Sequence, residues 1–172
     1  MGAGKTTVGR LLARELGYHF FDTDTLIEQV AGGKTINEIF TTDGEEGFRN
    51  LETKVLAELS AYTKLAIATG GGIVLRRENW GYLRHGLIVW LDISVDILME
   101  RLAEDATRPL LKDADPRKKL ETLLEQRQRL YAQADIRITI EPGQTPEQVA
   151  QRVMEAIPSV IKPEVVPPGD RN

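Results

Sequence analysis

A chain of 172 residues, 41% hydrophobic and 28% charged, suits one domain with one sizeable core and a charged surface. Its formal net charge of -4 argues against a nucleic-acid partner, which calls for a basic surface. The absence of cysteine removes disulfides and thiolate metal sites, no apolar run reaches the roughly 18 residues of a membrane span, and the Gly-rich, polar start is unlike a signal peptide, so the cytosol is the expected location.

The pattern alternates between helix and strand along the chain. Val8, Leu11, Leu12 and Leu16 recur at helical spacing and predict a helix over Lys5–Leu16 that Gly17 ends. Residues 18–22 read as a short aromatic strand. Thr35 and Glu38 form a capping box ahead of Ile39 and Phe40. Phe48, Leu51, Val55 and Leu59 place one apolar face on a long helix over 45–62. Residues 65–69 form an apolar strand that stops at Gly70, Gly71 and Gly72. A second apolar strand covers 87–92, and Ser94 caps the helix after it.

Between 103 and 116, charged residues and prolines predict a loop. Pro116 opens a helix that runs to about Ala134. Ile136–Ile140 is the last strand, Thr145, Pro146 and Gln148 start the last helix, and that helix is expected to end near Pro158. The Pro-rich tail over 158–172 is expected to lack order. Apolar strands alternating with helices imply an α/β domain with a parallel sheet covered on both faces.

The strongest chemical signal is Gly2-Ala3-Gly4-Lys5-Thr6-Thr7. In a P-loop, glycines let successive N–H groups converge on a phosphate, and the following helix aims its positive end at the same point. Lys5 reaches the β- and γ-phosphates, and the Thr6 hydroxyl is placed to ligate Mg²⁺. The first glycine of the full pattern and the strand that feeds the loop would lie before Met1. Met1 is therefore expected to be an internal methionine, or the chain a fragment.

Asp22 and Asp24 end the first aromatic strand, where extended geometry would point both carboxylates to one side. One can hold Mg²⁺ through water and the other can orient or deprotonate a hydroxyl. Taken singly, the remaining candidates carry less. Arg49 reads as a surface partner of Glu52 at i+3, a pair worth a few tenths of a kcal/mol. The three glycines 70–72 are a flexible turn or a close approach to a ligand. Arg108 is a solvated loop residue or a mobile phosphate clamp. Arg127 is a surface helix residue or a carboxylate clamp.

In order, Gly-Ala-Gly-Lys-Thr-Thr, Phe-Asp-Thr-Asp, Phe-Arg, Gly-Gly-Gly, Arg-Pro-Leu-Leu and Arg-x-x-Leu-Tyr resemble the shikimate kinase family, from residue 2 to about 157. The resemblance implies a P-loop NTPase fold of the nucleoside-monophosphate-kinase type. Its five-stranded parallel sheet would here lack the first strand, and a lid would cover about 103–116. It implies MgATP-dependent phosphorylation of the 3-hydroxyl of shikimate by a monomer. The nucleotide would be met by Gly2, Ala3, Gly4, Lys5, Thr6, Thr7, Arg101, Arg108 and Gln144. Thr6 and Asp22 would serve Mg²⁺. Shikimate would be met by Asp24, Arg49, Gly70, Gly71, Gly72 and Arg127, with Lys5, Asp24 and Arg108 acting in catalysis. A gluconate-type kinase and a non-catalytic homologue are the alternatives.

Overall fold

The computed structural model describes residues 2–103 and 115–161. Arg108, most of the expected lid and the chain beyond 161 lie outside the described residues. Helix α1 (Lys5–Leu16) follows the predicted pattern: Val8 and Ala13 are buried, and Gly17 closes it in the left-handed region at φ 67°. Strand β1 (His19–Asp22) leads directly into helix α2 (Thr23–Val30), with Asp22 as its N-cap. Helix α3 (Ile36–Ser60) starts at the Thr35–Glu38 capping box and is broken at Gly44, whose φ of 70° and ψ of -179° are not helical. The predicted long helix is the second half of this element.

Strand β2 (Leu65–Ala68) precedes the three glycines and a 3-10 turn over Ile73–Leu75, then helix α4 (Arg77–Leu83). Strand β3 (Val89–Ile93) and helix α5 (Val95–Ala103) come next, with the Ser94 hydroxyl accepting from Ile97 N at 3.3 Å. Helix α6 (Pro116–Tyr131) has Asp115 as N-cap and Pro116 in its first turn, as an N-terminal proline should. Strand β4 (Ile136–Ile140) and helix α7 (Pro146–Val160) complete the described chain.

Two expectations need correction here. Asp24 is not the end of an extended strand; it sits in the first turn of α2, because Asp22 caps the helix instead of prolonging β1. The signal was present in Asp22 followed by Leu26, Ile27 and Val30. The last helix also does not end at Pro158 but continues to Val160. A proline in the last turn forfeits little of the helical ladder, and Ala156, Ile157 and Val160 are held by packing against the core.

β1 pairs parallel with β2, and β3 pairs parallel with β4. Among the described residues no strand joins the two ladders, so β2 and β3 are not hydrogen-bonded neighbours. Phe20, Phe21, Leu65, Ala66, Ile67 and the first residues of β3 are accordingly only half-buried. Helix α1 bridges the ladders. It packs against β1, β2 and α7, while its Val8 enters the core built on β3, β4, α5, α6 and α7. A second core joins α2 and α3 over β1 and β2 through Ile27, Ile39, Phe48, Val55 and Leu59. A third gathers Leu56, Ile73, Val74 and Trp80 beneath the turn that follows the glycines.

Ile27 is fully buried where α2 meets α3. Ile27→Ala is expected to lower the urea-unfolding free energy by about 3 kcal/mol, through lost burial and a residual cavity. A loss below about 1 kcal/mol would mean that α2 is not docked as described.

Candidate active site

Gly2 and Gly4 both have positive φ, 74° and 80°. This lets the backbone turn into α1 without a side-chain cap on its first N–H groups. Those donors and the positive helix end are what an anion requires. Ala3 packs against the core of the β3–β4 ladder, anchoring the loop from behind. Arg101 of α5 donates from Nη1 to the Gly2 carbonyl at 3.1 Å, so it lies against the loop itself. Lys5 is partly buried at the start of α1, and Thr6 and Thr7 line a shallow exposed groove with Arg10, Leu11 and Arg14.

The Thr6 hydroxyl donates to Asp22 Oδ2 at 2.7 Å, and Asp22 Oδ1 accepts from Asp24 N at 3.0 Å. The end of β1 is thereby tied to the phosphate loop on one side and to the first turn of α2 on the other. Thr6 and Asp22 offer two adjacent hard oxygens. Among the described residues no cluster of three or more acidic or histidine side chains could hold a metal alone. That donor set fits Mg²⁺, which keeps several waters and uses one or two protein oxygens together with phosphates.

The side of the site beyond the phosphate loop is organised by the three glycines after β2. A Cβ at Gly70 would lie 3.2 Å from Asp24 Oδ1 and 3.3 Å from Glu52 Oε1. One at Gly71 would lie 3.1 Å from the Tyr131 hydroxyl and 3.6 Å from Arg127 Nη1, and one at Gly72 would overlap the Arg49 guanidinium. Asp24, Arg49 and Arg127, from three different helices, thus converge on one turn. The turn is pinned: Gly70 N donates to the buried Thr23 hydroxyl at 3.3 Å, and Tyr131 donates to Gly71 O at 2.7 Å. Beyond it, Asn79 Nδ2 and Trp80 Nε1 donate to the carbonyls of Ile73 and Val74 at 2.8 and 3.0 Å.

The Arg49–Glu52 pair is not the surface pair expected from its spacing. Arg49 Nη1 lies 2.7 Å from Glu52 Oε2, and the Glu52 side chain is only 1% exposed. The helix carries these residues on the face turned to the glycines, so the i,i+3 contact is made inside the protein. Burial pushes the Glu52 carboxyl above its ordinary pKa, and the hydrogen bond and charge of Arg49 only partly oppose this. Glu52 Oε1 and Arg49 Nε are buried without hydrogen-bond partners among the described residues. Such atoms mark unmet polar capacity beside the turn.

Asp24 is also held above its ordinary pKa, first by desolvation where it meets protein, then by the Asp22 charge, with Lys5 pulling the other way. The residue still reaches solvent, so surrounding water screens these interactions. The electrostatic influence of Lys5 on Asp24 links the phosphate loop to the glycine turn.

Gln144 stands apart from this convergence. Its Oε1 accepts from Glu141 N and from Arg152 Nη1, both at 3.2 Å, and it lines a shallow groove with Pro142, Gly143 and Gln148. Glu52, Thr23 and Tyr131 are site residues that reading the sequence residue by residue did not single out. Tyr131 had a signal: it lies four residues after Arg127, on the same helical face.

The shikimate kinase family profile matches residues 1–158. Curated relatives named shikimate kinase from Trichormus variabilis and a Nostoc species are each 66% identical over 162 residues, covering 94% of this chain and 89% of theirs. A solved structure of shikimate kinase from Acinetobacter baumannii in complex with shikimate superposes with a TM-score of 0.83 at 43% identity, over 92% of this chain and 89% of that one.

The raised pKa of Glu52 has a direction that can be checked. Between the unfolded value of about 4.5 and the higher folded value, the folded protein holds a proton that the unfolded chain releases. The associated stability is complete below the unfolded pKa and is lost as pH rises through the folded one. The wild type should therefore lose stability relative to Glu52→Gln as pH rises from 4.5, in chemical unfolding at a series of pH values. The opposite slope would mean that Arg49, not burial, dominates this carboxyl.

Proposed function

The chain belongs to the shikimate kinase family, and from that premise we propose that it transfers the γ-phosphoryl group of ATP to the 3-hydroxyl of shikimate, on the chorismate route to aromatic amino acids. ATP-dependent phosphoryl transfer to an alcohol is the activity of the family. The observation that carries the assignment to this site is the convergence of Asp24, Arg49 and Arg127 on one glycine turn, beside the Thr6–Asp22 end of the phosphate loop.

The division of labour follows from charge and shape. The N–H groups of residues 2–7 and the Lys5 ammonium hold the phosphates. Thr6 and Asp22 would hold Mg²⁺, which when bound would neutralise charge on the transferring group. Arg49 and Arg127 grip the shikimate carboxylate, since a guanidinium matches a carboxylate fork. The glycines let the ring approach the backbone where any side chain would intrude.

Asp24 holds the acceptor hydroxyl and takes its proton as the O–P bond forms. Its raised pKa favours that role over the behaviour of a free surface aspartate. By family resemblance, Arg101 and Gln144 meet the nucleotide, and Arg108 closes on the phosphates from the lid. Family resemblance implies action as a monomer. No helix among the described residues is long and apolar enough to cross a membrane.

Turnover of ATP with shikimate, and its absence with gluconate, tests the assignment in a coupled ADP-release assay. Asp24→Asn is expected to cut kcat by about 100-fold or more; retention of most activity would take the base role from Asp24. Arg127→Ala is expected to raise KM for shikimate about tenfold or more, leaving KM for ATP within twofold, because a charge-assisted contact is lost. An unchanged KM for shikimate would remove Arg127 from the clamp.

A further inference from the structure

We infer that Tyr131 is a positioning residue for acceptor binding: through its hydroxyl it sets the orientation of the glycine backbone that the acceptor meets. The inference rests on the kinase reading above and deepens it. Tyr131 ends α6, the helix that carries Arg127 one turn earlier. Its hydroxyl donates to Gly71 O at 2.7 Å. The Gly71–Gly72 peptide is trans, so its N–H points opposite to its carbonyl. Fixing the carbonyl therefore fixes the direction of the Gly72 N–H as well.

A glycine turn has no side chain with which to hold itself, and three glycines in a row have the widest backbone freedom of any tripeptide. The backbone on either side is restrained at Gly70 N by Thr23, by Ile73 N donating to Gly70 O at 3.2 Å, and at Ile73 O by Asn79. Tyr131 restrains the peptide between them.

The tyrosine is itself held from outside the site. Its ring lies 5.8 Å from that of Trp90 on β3, and the Arg137 guanidinium covers the other ring, 4.6 Å from the Trp90 centroid. Arg137 is fixed in turn by Asp92, with Nε and Nη2 at 2.9 and 2.6 Å from Oδ2. A continuous series of side-chain contacts thus runs from the β3–β4 ladder to the turn. Because Arg127 and Tyr131 share one helix, the guanidinium and the glycine backbone are brought into register by a single element. Without the hydroxyl, the Gly71 carbonyl would turn to water and the turn would sample other orientations. The acceptor would then have to order it on binding.

Tyr131→Phe keeps the ring and its packing and removes only the donor. The expected result is a rise of about 3- to 10-fold in KM for shikimate, the range of one neutral hydrogen bond, with kcat at half of wild type or more and KM for ATP within twofold. The melting temperature should stay close to that of wild type. A KM for shikimate within twofold of wild type would overturn the inference. So would a parallel rise in both KM values with a lower melting temperature, since that pattern marks general loosening. Wild-type turnover with shikimate, measured first, keeps failure of the kinase reading separate from failure of this one.

Discussion

The candidate site of this protein depends on one absence of matter: three consecutive residues with no β-carbon, placed where β2 ends. The Arg49 guanidinium occupies the volume that a side chain at Gly72 would need, and the Asp24 and Glu52 carboxylates crowd the same volume at Gly70. Atoms of opposite charge from α2, α3 and α6 can meet there because nothing stands between them. The surrounding hydrogen bonds from Thr23, Tyr131, Asn79 and Trp80 convert a permissive stretch of backbone into a fixed surface. Permissiveness supplies the space, and the tethers remove the disorder that would come with it.

Burial of charge beside that surface is the main energetic tension. Glu52 is almost wholly enclosed and is matched by Arg49 at one oxygen only. A single truncation in such a pair leaves a desolvated charge, which costs far more than the intact pair contributes. Arg49 is further confined by the Phe48 ring, 5.1 Å from its guanidinium carbon. The pair therefore couples the fold of α3 to the shape of the glycine turn, and a substitution at either residue will disturb both.

Much of the architecture could be read from the residues. The helical face of Val8, Leu11, Leu12 and Leu16, the capping boxes at Thr35 and Thr145, and Pro116 in the first turn of α6 are local signals that tertiary packing did not override. Helix α2 was less legible. Its cap is a residue that the chemistry claimed for another purpose, and eight residues give little periodicity. The break at Gly44 was hidden because both halves of α3 are helical by composition. For the site, the phosphate loop was readable as a motif, since its function is a property of contiguous backbone. Arg49 and Arg127 were not readable from local pattern: each looks like a solvated helix residue until the fold brings the glycines beside it. Family resemblance supplied what spacing could not. The burial of Glu52 and the hydroxyl of Tyr131 depend on contacts far apart in sequence, and no local pattern announces them.

Asp22 uses its two oxygens in opposite directions, one toward the Thr6 hydroxyl and one toward the amide of Asp24. A short planar group therefore acts as the spacer between the first turns of α1 and α2. A displacement of the loop would be passed through that carboxylate to the first turn of α2. The positions of the phosphate loop and of Asp24 are thereby linked within three residues of chain.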